Sequence, residues 1–222
     1  RFRNGFLLTT SYTLSRAIDY GNNDWSTPAT PADVERSKGR AGFDRTHAFA
    51  ASAIWDMPFF KQDKSVLGWV LGGWQISGLF TAYSGTPVDF TASAATLRAP
   101  GNTQRPNRNG GDPEVLGAIG PGQLYFDTSV FSAPEQNTWG NMLRNDSING
   151  PGFWNVDLSL AKRLRFGDRV STELRADAFN AFNHPNFGQP NGSFGSATFG
   201  QVTGMSGSYL PRLVRFGVRV LF

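Results

Sequence analysis

The chain has 222 residues and a net charge of +4; 39% of it is hydrophobic, 17% charged and 14% aromatic, with 26 Gly, 13 Pro and no Cys. The missing cysteine excludes a disulfide framework and a thiolate metal site, and the scattered basic residues do not form the clustered face that nucleic acid requires. No stretch reaches the roughly 18 apolar residues of a spanning helix; the richest, SVLGWVLGGWQISGLF, is interrupted by glycines and a glutamine.

The chain opens at Arg1 in mid-pattern, without a signal peptide, and reads as a piece of something longer. From there the dominant period is two, which sends alternate side chains to opposite faces of a strand. In GFLLTTSYTLS, Phe6, Leu8, Thr10, Tyr12 and Leu14 oppose Thr9, Ser11, Thr13 and Ser15. TPADVERSKG follows, and predicts one helical turn capped by Thr30 with Pro31 at its first position. HAFAASAIWDM sets Phe49, Ala51, Ala53, Trp55 and Met57 against Ala50, Ser52 and Asp56. GWQISGLFTAYSG sets Trp74, Ile76, Gly78, Phe80 and Ala82 against Gln75, Ser77, Thr81 and Tyr83.

A long connection over 85–151 comes next. Its segment RAPGNTQRPNRNGGDPEV is polar and turn-rich, which predicts an exposed, mobile loop. FWNVDLSLAK then alternates most cleanly, with Trp154, Val156, Leu158 and Leu160 against Asn155, Asp157 and Ser159. STELRADAFNAF sets Leu174, Ala176 and Ala178 against Glu173, Arg175 and Asp177, and a loop-like NHPNFGQPNGSFGSATFGQVTG follows. The terminal RLVRFGVRVLF divides into Val214, Phe216, Val218, Val220 and Phe222 on one side and Arg215 and Arg219 on the other.

Six such segments, each about 9–11 residues long, match tilted membrane strands. The fold class expected is all-β: an antiparallel up-and-down meander of about six long strands, part of a transmembrane β-barrel. The connections alternate between short (PFFKQDKSVLG, RLRFGD) and long (about 18–44, 85–151 and 183–210), as in a barrel with tight periplasmic turns and long outer loops. Phe6, Trp55, Trp69, Trp74, Phe166 and Phe222 then fall at the lower interface, and Tyr12, Phe153, Trp154 and Phe182 at the upper. The bulky sets have the parity of lipid. Asp157, Glu173, Arg175, Asp177, Arg215 and Arg219 have the parity of a wet lumen, where the arginines can pair with the acids of neighbouring strands. At mid-membrane on the lipid side an arginine costs about 2–4 kcal/mol. Lys162 has the lipid parity but lies at a strand end, from which it can snorkel to headgroups.

Alternation alone also fits a half-exposed soluble sheet, so a secreted β-sandwich or adhesin-like binding module is the alternative. Its bulky face would be dry instead of lipid-facing.

Catalytic sets are absent from the sequence: no His pair at ligand spacing, no Gly-x-Ser-x-Gly and no phosphate loop. His47 and His184 flank strands and read as interfacial. DRTH (Asp44 to His47) reads as loop closure onto the second strand more readily than as a ligand pair, and the NDS sequon at Asn145 has no weight in a bacterial outer membrane. No enzyme, no metal and no cofactor are expected. Ligand contacts are expected from polar and aromatic residues of 85–151 and 183–210, since long loops on a rigid scaffold usually carry them.

DRTHAFAASAIWDMPF, FDTSVFSAP (Phe126 to Pro134), GNMLRNDSINGPGFWNVDLSLAKRL (Gly140 to Leu164) and LRADAFNAFNHPNFGQP (Leu174 to Pro190) resemble the C-terminal barrel region of TonB-dependent outer-membrane receptors, closest to the Oar-like group that bears a carboxypeptidase regulatory domain. The resemblance covers nearly all of 1–222. It implies a plugged barrel of about 22 strands in the bacterial outer membrane that imports a scarce nutrient with energy from the TonB system. The plug and the other strands are missing here. The partners it implies are outer-membrane lipid, the parent's own plug and remaining strands, and the barrel-assembly machinery, which reads a terminal signal matched by Phe216, Val218, Val220 and Phe222. Six strands are too few to close, since single-chain barrels start at eight.

Overall fold

The computed structural model of the chain describes residues 4–21, 30, 32–60, 65–167, 170–207 and 210–222. Six long strands form one sheet: β1 (Phe6–Leu14), β2 (His47–Asp56), β3 (Trp74–Tyr83), β4 (Phe153–Phe166), β5 (Val170–Phe179) and β6 (Leu213–Leu221). They lie in chain order with every neighbour antiparallel, so the sheet is an up-and-down meander with β1 and β6 as its edges. All six expected strands are present. β4 runs four residues beyond the expected Lys162, because Arg163 to Phe166 continue the alternation and pair with Glu173, Thr172, Ser171 and Val170.

Register carries the parity of each strand across the whole sheet, since directly opposed residues share a face. Tyr12 opposes Phe49, Phe49 opposes Ala82, and Ala82 opposes Trp154. Leu8 opposes Ala53, which opposes Gly78, then Leu158, then Ala178, then Val214. Every bulky set of the sequence pattern therefore falls on one side. The other side carries Thr9, Ser52, Ser77, Asn155, Asp157, Ser159, Arg175 and Asp177. Leu7 and Ile54 face each other there as well, an apolar patch the alternation does not reveal. Phe153 also belongs to this polar side, where it stacks on Tyr83 at 5.8 Å between ring centroids, so it does not join Trp154 in an outer aromatic girdle.

Among the described residues most of the apolar side is uncovered. Phe216 is 80% exposed, and Leu8, Tyr12 and Val218 are also exposed. The two-stranded ladders outside the sheet, Ile18–Asp19 with Gly39–Arg40 and Asn107–Arg108 with Phe131–Ser132, lie within the long connections. A β-sandwich needs a dry interior between two sheets, and among the described residues no second sheet lies over this one.

The buried core lies elsewhere, in the long loops. Val88, Phe90, Tyr125, Phe126, Phe131, Met142, Ile148 and Val202 form it, with Phe194 and Phe199 packed against them. The connections β1–β2, β3–β4 and β5–β6 all arise at one end of the sheet; β2–β3 and β4–β5, at the other end, are short. The 3-10 turn in the first loop spans Val34–Ser37, with Asp33 as its N-cap and no side-chain cap bond. Thr30 therefore does not cap it; its backbone N–H donates to Ser37 Oγ (2.9 Å), and Pro31 lies outside the described residues.

The β2–β3 connection holds a helix the sequence reading missed, α1 (Val66–Leu71), with Ser65 Oγ accepting from the Gly68 N–H at 3.3 Å. It folds back onto the apolar side of the sheet. Trp69 packs edge-on to Phe166 (6.3 Å), and Trp74 Nε1 donates to the Val70 carbonyl (3.1 Å). Lys162 is buried beneath it, and its ammonium donates to the carbonyls of Trp69 (2.8 Å), Val70 (3.0 Å) and Gly72. Lys162 thus does not reach headgroups; all three of its donors are used by the last turn of α1.

Candidate functional site

The six charges singled out in the sequence share the polar side of β4, β5 and β6, but they form pairs and not one cluster. Asp177 is the hub: it accepts from Arg175 Nε at 2.7 Å and from Arg215 Nη2 at 3.3 Å, and faces Ser159 across the ladder. Glu173 meets Arg163 Nη2 at 3.3 Å. Asp157 takes no arginine; it accepts from Asn155 Nδ2 (2.8 Å) and from the backbone N–H of Asn180 (2.9 Å). Arg219 opposes Glu173 in register, yet it has no bonded partner among the described residues. Arg215 also lies over the Phe179 ring at 5.4 Å. With the Arg215 side chain 66% exposed, its pair contributes about 0–1 kcal/mol, so these charges brace a wall without anchoring the fold.

Phe216, Val218 and Val220 lie on the apolar side of edge strand β6, all exposed, and Phe222 stands beyond the strand end. Among the described residues no neighbouring strand occupies the free edge of β6.

At the long-loop end, three asparagines of NAFNHPN tie the last loop to the strands. Asn180, buried and in a left-handed conformation (φ 47°), donates to the His184 and Leu210 carbonyls, and its Oδ1 accepts from the His184 N–H. Asn183 Oδ1 accepts from the Arg212 N–H at 3.0 Å. Asn186 bonds both backbone groups of Trp154 at 3.0 Å each, imitating a strand neighbour. The ring of His184 stacks on Trp154 at 3.8 Å, and His47 Nδ1 bonds Tyr12 Oη at 2.8 Å. Both histidines therefore pack at strand ends, as expected.

The loops beyond are built, not slack. Within RAPGNTQRPNRNGGDPEV, Gln104 and Arg105 are buried. Gln104 Oε1 accepts from the Arg105 and Gly140 N–H groups while its Nε2 donates to the Thr138 carbonyl (2.8 Å); Arg105 reaches Asp89 and the Phe90 carbonyl. The expectation of a wholly exposed, mobile loop fails because these polar side chains satisfy buried backbone. The phenylalanines expected to meet ligand are packed on one another: Phe90 on Phe131 at 4.8 Å, Phe199 on Phe131 at 5.2 Å and on Phe126 at 5.4 Å.

A second knot joins the first loop to the second. Buried Arg144 donates to Asp19 and to the Ser37 carbonyl (3.3 Å). Buried Asp44 accepts from the Ala17 N–H (2.8 Å) and Arg40 Nε (2.9 Å), and Arg40 Nη1 continues to Asn149 (2.7 Å). DRTH is thus a loop closure. Asn145 of the sequon is buried with Nδ2 on the Arg40 carbonyl (2.7 Å).

Two small pockets flank the bond from Gln189 to Thr86. One, of about 260 Å³, is lined by Gly42, Thr86, Pro87, Val88, Asp89, Asn145, Gln189 and Pro190; the other, of about 200 Å³, by Arg45, Thr86, Phe153, Phe187, Gln189 and Ser206 among others. Asn145 Oδ1, beside the first, is buried and unpartnered among the described residues. The backbones close tightly beneath: a Cβ at Gly85 would collide with the Gly150 carbonyl oxygen, so glycine is required there. Outside the strands, Asp127 accepts from the backbone N–H and hydroxyl of Ser129 (2.9 Å each), which hold its carboxyl below the ordinary value; burial raises Tyr125. Among the described residues no group of acids and histidines is placed to hold a metal.

An open meander with a bare apolar side, a polar side and long loops gathered at one end defines a wall of a membrane-spanning β-barrel. A family model described as an outer membrane beta barrel domain matches residues 1–215, and the chain belongs to that family. Its location is accordingly the bacterial outer membrane. No curated protein and no solved structure matches the chain.

Proposed function

We propose that this chain is the C-terminal wall of a TonB-dependent receptor that imports a scarce nutrient. The observation that carries the reading is the register, which gathers the alternating bulky sets of all six strands on one largely uncovered side and Asp157, Glu173, Arg175, Asp177, Arg215 and Arg219 on the other. The bare side meets lipid and the charged side meets a wet lumen and the parent's plug. The long loops are extracellular and the short connections periplasmic. Hydrocarbon does not tolerate unpaired backbone groups, so the free edges of β1 and β6 pair with further strands of a longer parent. Phe216, Val218, Val220 and Phe222 serve as the signal for the barrel-assembly machinery. The resemblance of LRADAFNAFNHPNFGQP and its companions supports the finer family and its dependence on TonB.

Substrate contact falls to the loop cap. Its pockets are smaller than the roughly 300–1,000 Å³ of a typical ligand site, so each takes one arm or ring of a ligand and not a whole molecule. Asp89 and Asn145 Oδ1 at the larger one favour a hydrogen-bond donor. The reading assigns no catalytic step to the chain.

The test is uptake. A strain deleted for the full-length gene should lose accumulation of one solute from a labelled panel of iron chelates, vitamins and oligosaccharides, and a strain lacking TonB should lose the same solute. Unchanged uptake across the panel, or loss that does not depend on TonB, contradicts the proposal.

A further inference from the structure

The helix α1 is apolar around nearly its whole circumference and is not covered. Val66, Leu67, Trp69, Val70 and Leu71 are all exposed, and Phe59 and Phe60 extend the patch. A helix of this kind has no water-facing stripe, so water is not the solvent it fits. Its position shows which solvent does. It lies against the apolar side of the sheet, fixed by Trp69 on Phe166 and by Trp74 Nε1 on the Val70 carbonyl. Trp55, on the same side, packs edge-on to Phe59 at 6.0 Å. The patch is therefore continuous with the surface through which an outer-membrane barrel meets lipid.

Lys162 supplies an independent observation. It is the cation with lipid parity in the expected β4, at its short-turn end, where a lysine facing lipid costs about 0–1 kcal/mol near the interface and more with depth. The structure buries it under α1 with its ammonium on three carbonyls and over the Trp74 ring at 5.2 Å. A single contact thus answers two needs. The last carbonyls of a helix lack intrahelical donors, and a cation facing lipid lacks acceptors. Gly68 is the buried residue of α1.

We propose that α1 is a lipid-seated foot: clamped to the outer face of the wall by Lys162, it beds Val66, Leu67, Val70 and Leu71 in the phospholipid leaflet at the short-turn end. Tryptophan favours that interfacial depth, and Trp69 and Trp74 both occupy it. The foot fixes how deep this end of the wall sits. The inference rests on the reading that the bare side meets lipid.

The chain has no cysteine, so, with any cysteine elsewhere in the parent replaced by serine, variants L67C, F216C and Q136C can each carry one nitroxide label in the full-length protein, assembled in phosphatidylethanolamine/phosphatidylglycerol vesicles. Collision with oxygen reports lipid, and collision with a nickel chelate reports water. The label at 67 should show an oxygen preference between the deep value at 216 and the aqueous value at 136. Adding Lys162→Met should release the helix, shifting the label at 67 toward the aqueous value and narrowing its spectrum, and Lys162→Arg should largely restore both. A label at 67 that matches 136, or that both reagents fail to reach because protein covers it, overturns the foot, as does a Lys162→Met spectrum identical to that of the parent. If 216 itself reads as water, the lipid assignment of the whole face has failed; if 216 reads as lipid and 67 does not, only the foot has.

Discussion

The sheet and the loop cap use the same residue type in opposite ways. Phe126, in an irregular loop, is completely buried; Phe216, in a regular strand, is 80% exposed. In a water-soluble protein the strands make the core and the loops cover it. Here the loops contain the core, and the strands, with the backbone hydrogen bonds that every membrane segment requires, leave their apolar side chains bare. The cap is thus a small water-soluble fold attached to a wall whose solvent is lipid. Each region is stable in its own medium, and equal substitutions in the two should give unequal results.

The largest effect is expected from Phe216→Arg. It loses about 1.5–3 kcal/mol of phenyl transfer and adds about 2–4 kcal/mol for an arginine facing lipid. Urea unfolding of the reconstituted barrel protein should show the sum, and outer-membrane yield should fall. Phe126→Ala should cost about 3–5 kcal/mol through the cavity it leaves, but within the cap. Protease should then cut the 85–151 loop faster, while the heat-modifiable gel migration of the barrel is unchanged. If both variants unfold the whole protein together, cap and wall are one cooperative unit and not two.

Arg215→Leu, one residue from Phe216, should change stability by only about 0–1 kcal/mol, because Asp177 keeps Arg175 and the site is wet. A loss as large as that at 216 would mean both sides of β6 are equally dry. The smallest effect concerns pH. The Asp127 carboxyl is depressed by its two bonds to Ser129, so its contribution to cap order is complete above the ordinary carboxylate value. It fades as pH falls through the lowered one. Proteolysis of the 85–151 loop should rise only in that acid range, and Asp127→Asn should remove the pH dependence.

Most of the wall was legible because parity is local. Residues two apart share a face whatever the partner strand, so the bulky and charged sets could be assembled without knowing a single pairing, and register merely joined them. Lys162 broke that pattern, and its explanation lay in α1, too short and too glycine-interrupted to announce itself by a helical period. The cap was hardly legible. Its phenylalanines have no spacing that predicts burial, and its fixed points are distant in sequence: Arg144 with Asp19, Gln189 with Thr86. Polar composition suggested a mobile loop where Gln104 and Arg105 instead satisfy buried backbone. The asparagines at 180, 183 and 186 carry a signal that alternation does not read, a spacing of small polar residues able to bond backbone at a strand end.

The central claim is that neighbouring residues of β6 face different solvents. It is tested most directly by placing a bimane fluorophore at 215 or 216 of the barrel protein in lipid vesicles and comparing quenching by brominated acyl chains with quenching by aqueous iodide. The account predicts brominated-lipid quenching at 216 with little iodide effect, and the reverse at 215. Iodide quenching at 216 together with lipid quenching at 215, or the same quenching at both, would contradict it.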